Sequence, residues 1–277
     1  MILGVLIFIF GAVVGSFLNV VIYRYPIMLE HEWTQASLMH LKQSLPEKSN
    51  IFNLWAPRSH CPHCKTQIPF WHNIPIISFL LLKQKCAHCH QKISARYFFV
   101  EILTAILSVI VYLKLGLTWQ TAMTFILTWG LIALSFIDLK HQFLPDPITY
   151  FLLWLGLFIS TQHLFISMAH SIYGALIGYL FLFVIAKSYL LFRKKEGMGL
   201  GDCKMLAMIG AWVGAISLLN VLLISTILAL IVSVIFIAAG KMQKGNTIPF
   251  GPYIAIGGWI TLLFGADITQ WITQWIQ

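Results

Sequence analysis

Long apolar runs alternate with short polar connections along this chain, apart from one long polar stretch near its start. A helix that crosses a bilayer needs about 20 mostly apolar residues. Runs of that kind are expected near 2–22, 97–114, 119–138, 147–162, 170–191, 203–218, 219–239 and 251–267. No basic segment precedes the first run and Arg24 follows it, so it reads as a retained helix, not a cleaved signal. The stretch 203–239 is overlong for one span, so a turn is expected near Leu218–Asn220. The pattern predicts an all-α polytopic membrane protein of eight transmembrane helices. It divides into a first transmembrane helix over 1–23, a polar loop over 24–96 and a seven-helix region over 97–277.

Composition agrees with that pattern. The chain has 277 residues, 59% hydrophobic and 10% charged. A soluble domain carries about 25% charged residues, so a soluble fold is excluded along with disordered, collagenous and disulfide-scaffold classes. The net charge of +9 could suggest a nucleic-acid partner. Its placement points elsewhere. Nine of the eighteen lysines and arginines lie in 24–96. Lys140, Arg193, Lys194, Lys195, Lys204, Lys241 and Lys244 fall in every second connection after it, Lys187 can snorkel to the same side, and only Lys114 falls opposite. The positive-inside rule puts the 24–96 loop in the cytoplasm and both termini outside. The basic charge is topological, and no nucleic-acid partner is expected. Trp119, Trp271 and Trp275 lie near the outer ends, where aromatic belts sit.

Four of the five cysteines form two pairs, Cys61-Pro-His-Cys64 and Cys86-Ala-His-Cys89, with twenty-one residues between them. Two CxxC turns can aim four thiolates at one centre, a tetrahedral set that suits structural Zn²⁺. Disulfides are the main alternative, and a reducing cytoplasm argues against them. His60, His63, His88 and His90 crowd the site and read first as exposed loop residues. A closed four-thiolate site folds a loop and leaves no position for catalysis.

Acids are scarce, nine in all, so those beside the spans stand out. An acid at mid-membrane costs at least about 2.5–3.5 kcal/mol and needs a structural excuse or a function. Asp146, in Pro145-Asp146-Pro147, is expected to N-cap the fourth span. Glu101 is expected to make a structural polar contact with Arg96 or a neighbouring helix. Asp138 ends the third span, and Asp202 follows Gly197-Met198-Gly199-Leu200-Gly201 at the start of the sixth. One helix descends to the cytoplasmic face and the other rises from it, so both acids lie at about the same depth. Contact with Lys140 or His141 for Asp138, or an N-cap for Asp202, would be a structural reading of each. Two carboxyls that meet cannot both ionise easily. One can act as general base on water while the other, protonated, polarises a scissile carbonyl. Cys203, with no base nearby, reads as a packing residue. The pairs Gly11/Gly15, Gly174/Gly178, Gly210/Gly214 and Gly257-Gly258 read as close helix contacts.

The Gly-Met-Gly-Leu-Gly-Asp202 stretch resembles the GxGD signature of intramembrane aspartic proteases. Nearly the whole chain resembles the type IV prepilin peptidases, also called leader peptidase/N-methyltransferases. The matching segments, in order, are Gly15 to Arg24, Ser59 to Cys64, Asn73-Ile74-Pro75, Ile93 to Tyr97 with Glu101, Ile137-Asp138-Leu139 with Leu144-Pro145-Asp146, Gly199 to Lys204, and Pro249 to Tyr253. The resemblance implies Asp138 and Asp202 as the catalytic pair. Cys61, Cys64, Cys86 and Cys89 would be zinc ligands. S-adenosylmethionine would be the methyl donor, with no residues assigned to it. Prepilins and type II secretion pseudopilins would be the substrates, and the bacterial inner membrane the location. The chain departs from the family pattern at His60, where arginine is common, and at Lys83-Gln84-Lys85, where a glycine is common. An ion-coupled transporter and a non-enzymatic zinc-knuckle scaffold are the rival readings.

Overall fold

A computed structural model describes residues 2–42, 52–195, 197–240 and 248–276. Lys241, Lys244, Glu47 and Glu196 lie outside the described residues, and so does the Trp275 side chain. All long elements are helices: α1 (Ile2–His40), a short α2 (Ile77–Leu81), α3 (Arg96–Leu115), α4 (Trp119–His141), α5 (Asp146–Ser160), α6 (Met168–Arg193), α7 (Leu200–Val213), α8 (Leu218–Ala238) and α9 (Gly251–Ile276). Each of the eight expected apolar runs is therefore helical. Among the described residues, six helices are long and apolar enough to cross a membrane. The eight-span expectation needs correction at α5 and α7, which have 15 and 14 residues. At 1.5 Å per residue they reach only about 21–23 Å, short of a hydrocarbon core of about 30 Å.

The chain folds as two compact units, Met1–Gly116 and Leu117–Gln277. In the first, α1 runs eighteen residues beyond its expected end at residue 22. No glycine follows Gly15 to stop it, and Pro26 is accommodated inside the helix. The first part of the segment expected as loop, residues 24–40, is thus helix. α1 packs on α3 through its paired glycines: a Cβ on Gly11 would lie 2.9 Å from Ala105 Cα, and one on Gly15 would lie 2.8 Å from Glu101 Cα. Arg24 is buried rather than solvated. Its guanidinium donates to the carbonyls of Asn53 (2.9 Å) and Pro57 (2.6 Å) and ties the following segment to the helix.

In the second unit α7 is the centre. Every residue from Cys203 to Val213 except Lys204 is buried, Cys203 completely so, which fits a packing residue. Trp212 fits against Gly156 of α5 and donates its Nε1–H to Leu152 O (2.9 Å). α6 lies against α7 where Gly174 faces Gly210 and Gly178 faces Leu206, with backbone on backbone. Gly214 is part of the same contact, its Cα lying 2.9 Å from where a Cβ on Gly174 would be. It sits at φ +81 and ends α7, so the turn falls four residues before the expected junction. A side chain at Gly210 would run into the Gly174 carbonyl. Gly210→Ala is expected to destabilise the protein by about 1–3 kcal/mol, read as a lower unfolding midpoint in detergent. Gly4→Ala adds a methyl with nothing within 4 Å, and should leave the midpoint unchanged or raise it.

Candidate active site and metal centre

Asp138 sits in the last turn of α4 and is buried. The helix closes one turn later at Gln142, whose φ of 55 is left-handed and whose N–H donates to Asp138 O (2.9 Å). Asp202 lies in the first turn of α7, after the Gly199 cap at φ −72, ψ 145. It is the third helical residue and so not the N-cap. A carboxylate in the first turn is favoured by the helix dipole. The two carboxyls are close enough for the charge of Asp138 to act on Asp202. The C-terminal end of one helix and the N-terminal end of another thus bring the two acids together. Two carboxyls placed this way are groups of the kind that does acid–base chemistry.

Two surroundings of the pair were not foreseen. Gly251, the first residue of α9, donates its N–H to Asp138 Oδ2 at 3.1 Å. Asp146 does not cap α5; Pro145 holds that position without a side-chain bond. Instead Asp146 takes both its oxygens to Lys204 Nζ, at 2.8 and 2.7 Å. Lys204 also lies over the Tyr150 ring. Asp146 and Lys204 are 58 residues apart, a pairing that spacing along the chain does not reveal. Leu144 fills the space between, with its side chain against Gly201 and Gly251.

Glu101 belongs to the first unit and has a structural partner, as expected, though not Arg96. Its Oε2 accepts the backbone N–H of Ile76 at 2.8 Å. Ile76 has φ +64 and ψ −53, and Ile77 N–H donates to Pro75 O (2.6 Å). That is a γ-turn, a strained shape for a β-branched residue, and the carboxylate satisfies the donor it leaves over.

The cysteine pairs form two matching turns, twenty-five residues apart. Cys61 and Cys86 accept no strand partner but each donates its N–H five residues on, to Thr66 O (3.0 Å) and Gln91 O (2.9 Å). Lys65 and His90, directly after the second cysteine of each pair, take positive φ of 58 and 55. Isolated bridges join His60 to Gln67 and Lys85 to Lys92. All four sulfurs lie within 4.8 Å of one another. Cys61 and Cys89 are 3.8 Å apart and Cys64 and Cys86 are 4.0 Å apart, so no disulfide joins them. A tetrahedral ion at about 2.3 Å from each sulfur requires sulfurs about 3.8 Å apart. The cluster fits a metal ion. Hydrogen bonds from Thr66 hold the Cys64 thiol down to about 6. The backbone around Cys89 and His88 lowers Cys86. Cys89, although bonded from Gln91, is pushed up to about 11 by desolvation and by its three sulfur neighbours. Four thiolates repel one another, and a dication at their centre would relieve that. Within Lys83-Gln84-Lys85, the stretch that departs from the resembling family's glycine, Lys83 and Gln84 have φ +48 and +62, shapes glycine adopts without strain.

Two family descriptions match the chain: Bacterial Peptidase A24 N-terminal domain over residues 9–115, and Type IV leader peptidase family over residues 125–234. The chain is 44% identical over 267 residues to the prepilin leader peptidase/N-methyltransferase of Stutzerimonas stutzeri, covering 96% of this chain and 92% of the relative. It is 46% identical over 265 residues to the protein of the same name from Dichelobacter nodosus, covering 94% and 91%. For that of Pseudomonas aeruginosa the identity is 44% over 264 residues, covering 95% and 91%. No solved structure matches. With both family regions in order and relatives aligned along almost its full length, the chain belongs to the type IV leader peptidase family.

Proposed function

We propose that this protein cleaves the basic leader from type IV prepilins and type II secretion pseudopilins, and then methylates the new N-terminus. What supports the peptidase half is the placement of Asp138 and Asp202 around Leu144, which lies against Gly201, next to Asp202, and against Gly251, which bonds Asp138. One carboxylate takes a proton from water, and the hydroxide adds to the scissile carbonyl carbon. The protonated partner gives its proton to the carbonyl oxygen. The tetrahedral diol collapses as its C–N bond breaks, and the departing nitrogen receives a proton. No metal or nucleophilic side chain is needed for this sequence of steps. The relatives are named for enzymes, which does not favour a transporter or a scaffold.

The charge distribution supports an inner-membrane protein with the acid pair and the 24–96 loop on the cytoplasmic side. There a leader meets its apolar helix at the membrane surface. Cys61, Cys64, Cys86 and Cys89 would hold Zn²⁺, which supplies a structural cross-link and leaves no open position for substrate. S-adenosylmethionine would supply the methyl group. The hollow lined by Leu117, Thr118, Trp119 and Ala122 does not fit it, since one hydroxyl among apolar groups offers nothing to a ribose or a charged amine. Expression with a prepilin in cells lacking their own leader peptidase tests the whole reading. Mass spectrometry of the pilin is expected to show a shortened chain whose N-terminus carries one added methyl. An uncut prepilin would refute the peptidase, and a cut but unmodified terminus would refute the methyltransferase.

A further inference from the structure

We infer that the backbone N–H of Gly251 is a positioning group for the acid pair, which holds Asp138 as the charged base and leaves Asp202 as the proton donor. The inference rests on the proposed catalytic role of Asp138 and Asp202. Three observations carry it. Gly251 N–H donates to Asp138 Oδ2 at 3.1 Å inside the protein. It is the first residue of a 26-residue helix, so its N–H has no partner within that helix and its end of the helix dipole favours an anion. No hydrogen bond reaches the Asp202 side chain among the described residues, although Asp202 shares the same site. A pair of acids sharing one proton puts the charge where donors already point. The one such donor among the described residues points at Asp138, and a direct hydrogen bond to a carboxylate outweighs the helix dipole that Asp202 meets in the first turn of α7.

Glycine at this position has a steric reason. A Cβ there would lie 2.6 Å from Asp138 Oδ2 and 3.2 Å from Leu144 Cδ2. Any larger residue would move the carboxylate off the N–H or off the water it activates. The backbone of α9 thereby fixes one oxygen of Asp138 and leaves the other for chemistry. Pro252, next in the chain, suits the first turn of a helix and keeps the α9 start rigid.

The test is steady-state cleavage, by the full-length protein in detergent or vesicles, of a substrate with a basic leader joined to an apolar helix. Gly251→Ala is expected to lower kcat by about 10- to 100-fold, a large part of what a general base contributes, with KM within about two-fold of wild type. Gly258→Ala is the steric control. Its Cβ would press on Ile209 from the same helix without touching Asp138, so its kcat should fall far less. If Gly251→Ala does not fold, Gly251→Ala with Leu144→Val removes the second clash and is expected to show the same kcat loss. Wild-type turnover by Gly251→Ala, a loss confined to KM, or an equal kcat loss in Gly258→Ala would each overturn the inference. Asp138→Asn and Asp202→Asn measured alongside separate the two levels. Inactive Asn variants with an unimpaired Gly251→Ala overturn the positioning role alone, whereas cleavage by either Asn variant removes the acid pair beneath it.

Discussion

Asp138→Asn and Asp202→Asn are each expected to lower leader cleavage at least about a hundred-fold, the contribution of one acid–base group. An amide keeps the shape of the side chain and its hydrogen-bond reach, so the helices should still insert and pack. It cannot take a proton from water, and it cannot give one to a carbonyl oxygen. Because the two groups act as one unit on one proton, the double variant should be no slower than either single variant. Cleavage is read by the mobility shift of a prepilin incubated with purified protein. Substrate binding, read by co-purification, should survive both changes. The same pair of variants separates the rivals. A scaffold would be indifferent to both, and a transporter would lose ion movement with no effect on pilin length. Normal cleavage by either single variant would remove Asp138 and Asp202 as the dyad.

The acid pair was legible because so few acids compete for attention and because alternating helix direction places residues 138 and 202 at the same end. Helix polarity and the scarcity of charge are both one-dimensional facts. The cysteine cluster was legible for a similar reason, since each CxxC is a local turn. What the sequence did not reveal is pairing between distant backbone and side chains. The Gly251 N–H reaches Asp138 across 113 residues, and its glycine looks like any other at a helix start. Asp146 read as a cap because Pro147 follows it, yet an ammonium from α7 outcompetes a role that its own backbone N–H groups would have offered. The extension of α1 to His40 is not legible in hydropathy, because a helix can lose its apolar character and still continue. Glu30, Glu32 and Gln35 are good helix formers, and the helix has no need of lipid to continue. Span length misled in the opposite sense at α7. Its residues are apolar because protein surrounds them, so hydropathy there reports burial in a core and not thickness of membrane crossed.

The second large effect is expected at the cysteine cluster. Purified protein should carry about one zinc per chain, and replacing Cys61 and Cys86 together by serine should remove it. Together the two substitutions take one sulfur from each turn, which leaves two thiols, too few to close a four-thiolate site. The consequence for folding should be local and severe. The knuckle between residues 58 and 93 contains two isolated bridges and no extended sheet, and its exposed aromatic residues include Phe70 and Trp71. Such a segment has little core of its own. Structural zinc binding, about 10–16 kcal/mol in small zinc-finger peptides, is of the size that would hold it. Limited proteolysis should therefore cut the serine variant within 58–93 under conditions where the wild-type chain resists. Asp138, Asp202 and Gly251 all lie in Leu117–Gln277, whereas the cysteines lie in Met1–Gly116. Loss of metal should consequently depress cleavage far less than replacement of either acid does. Protein that contains no metal, or a serine variant as resistant to protease as wild type, would show that the four thiols do not act as a structural zinc site.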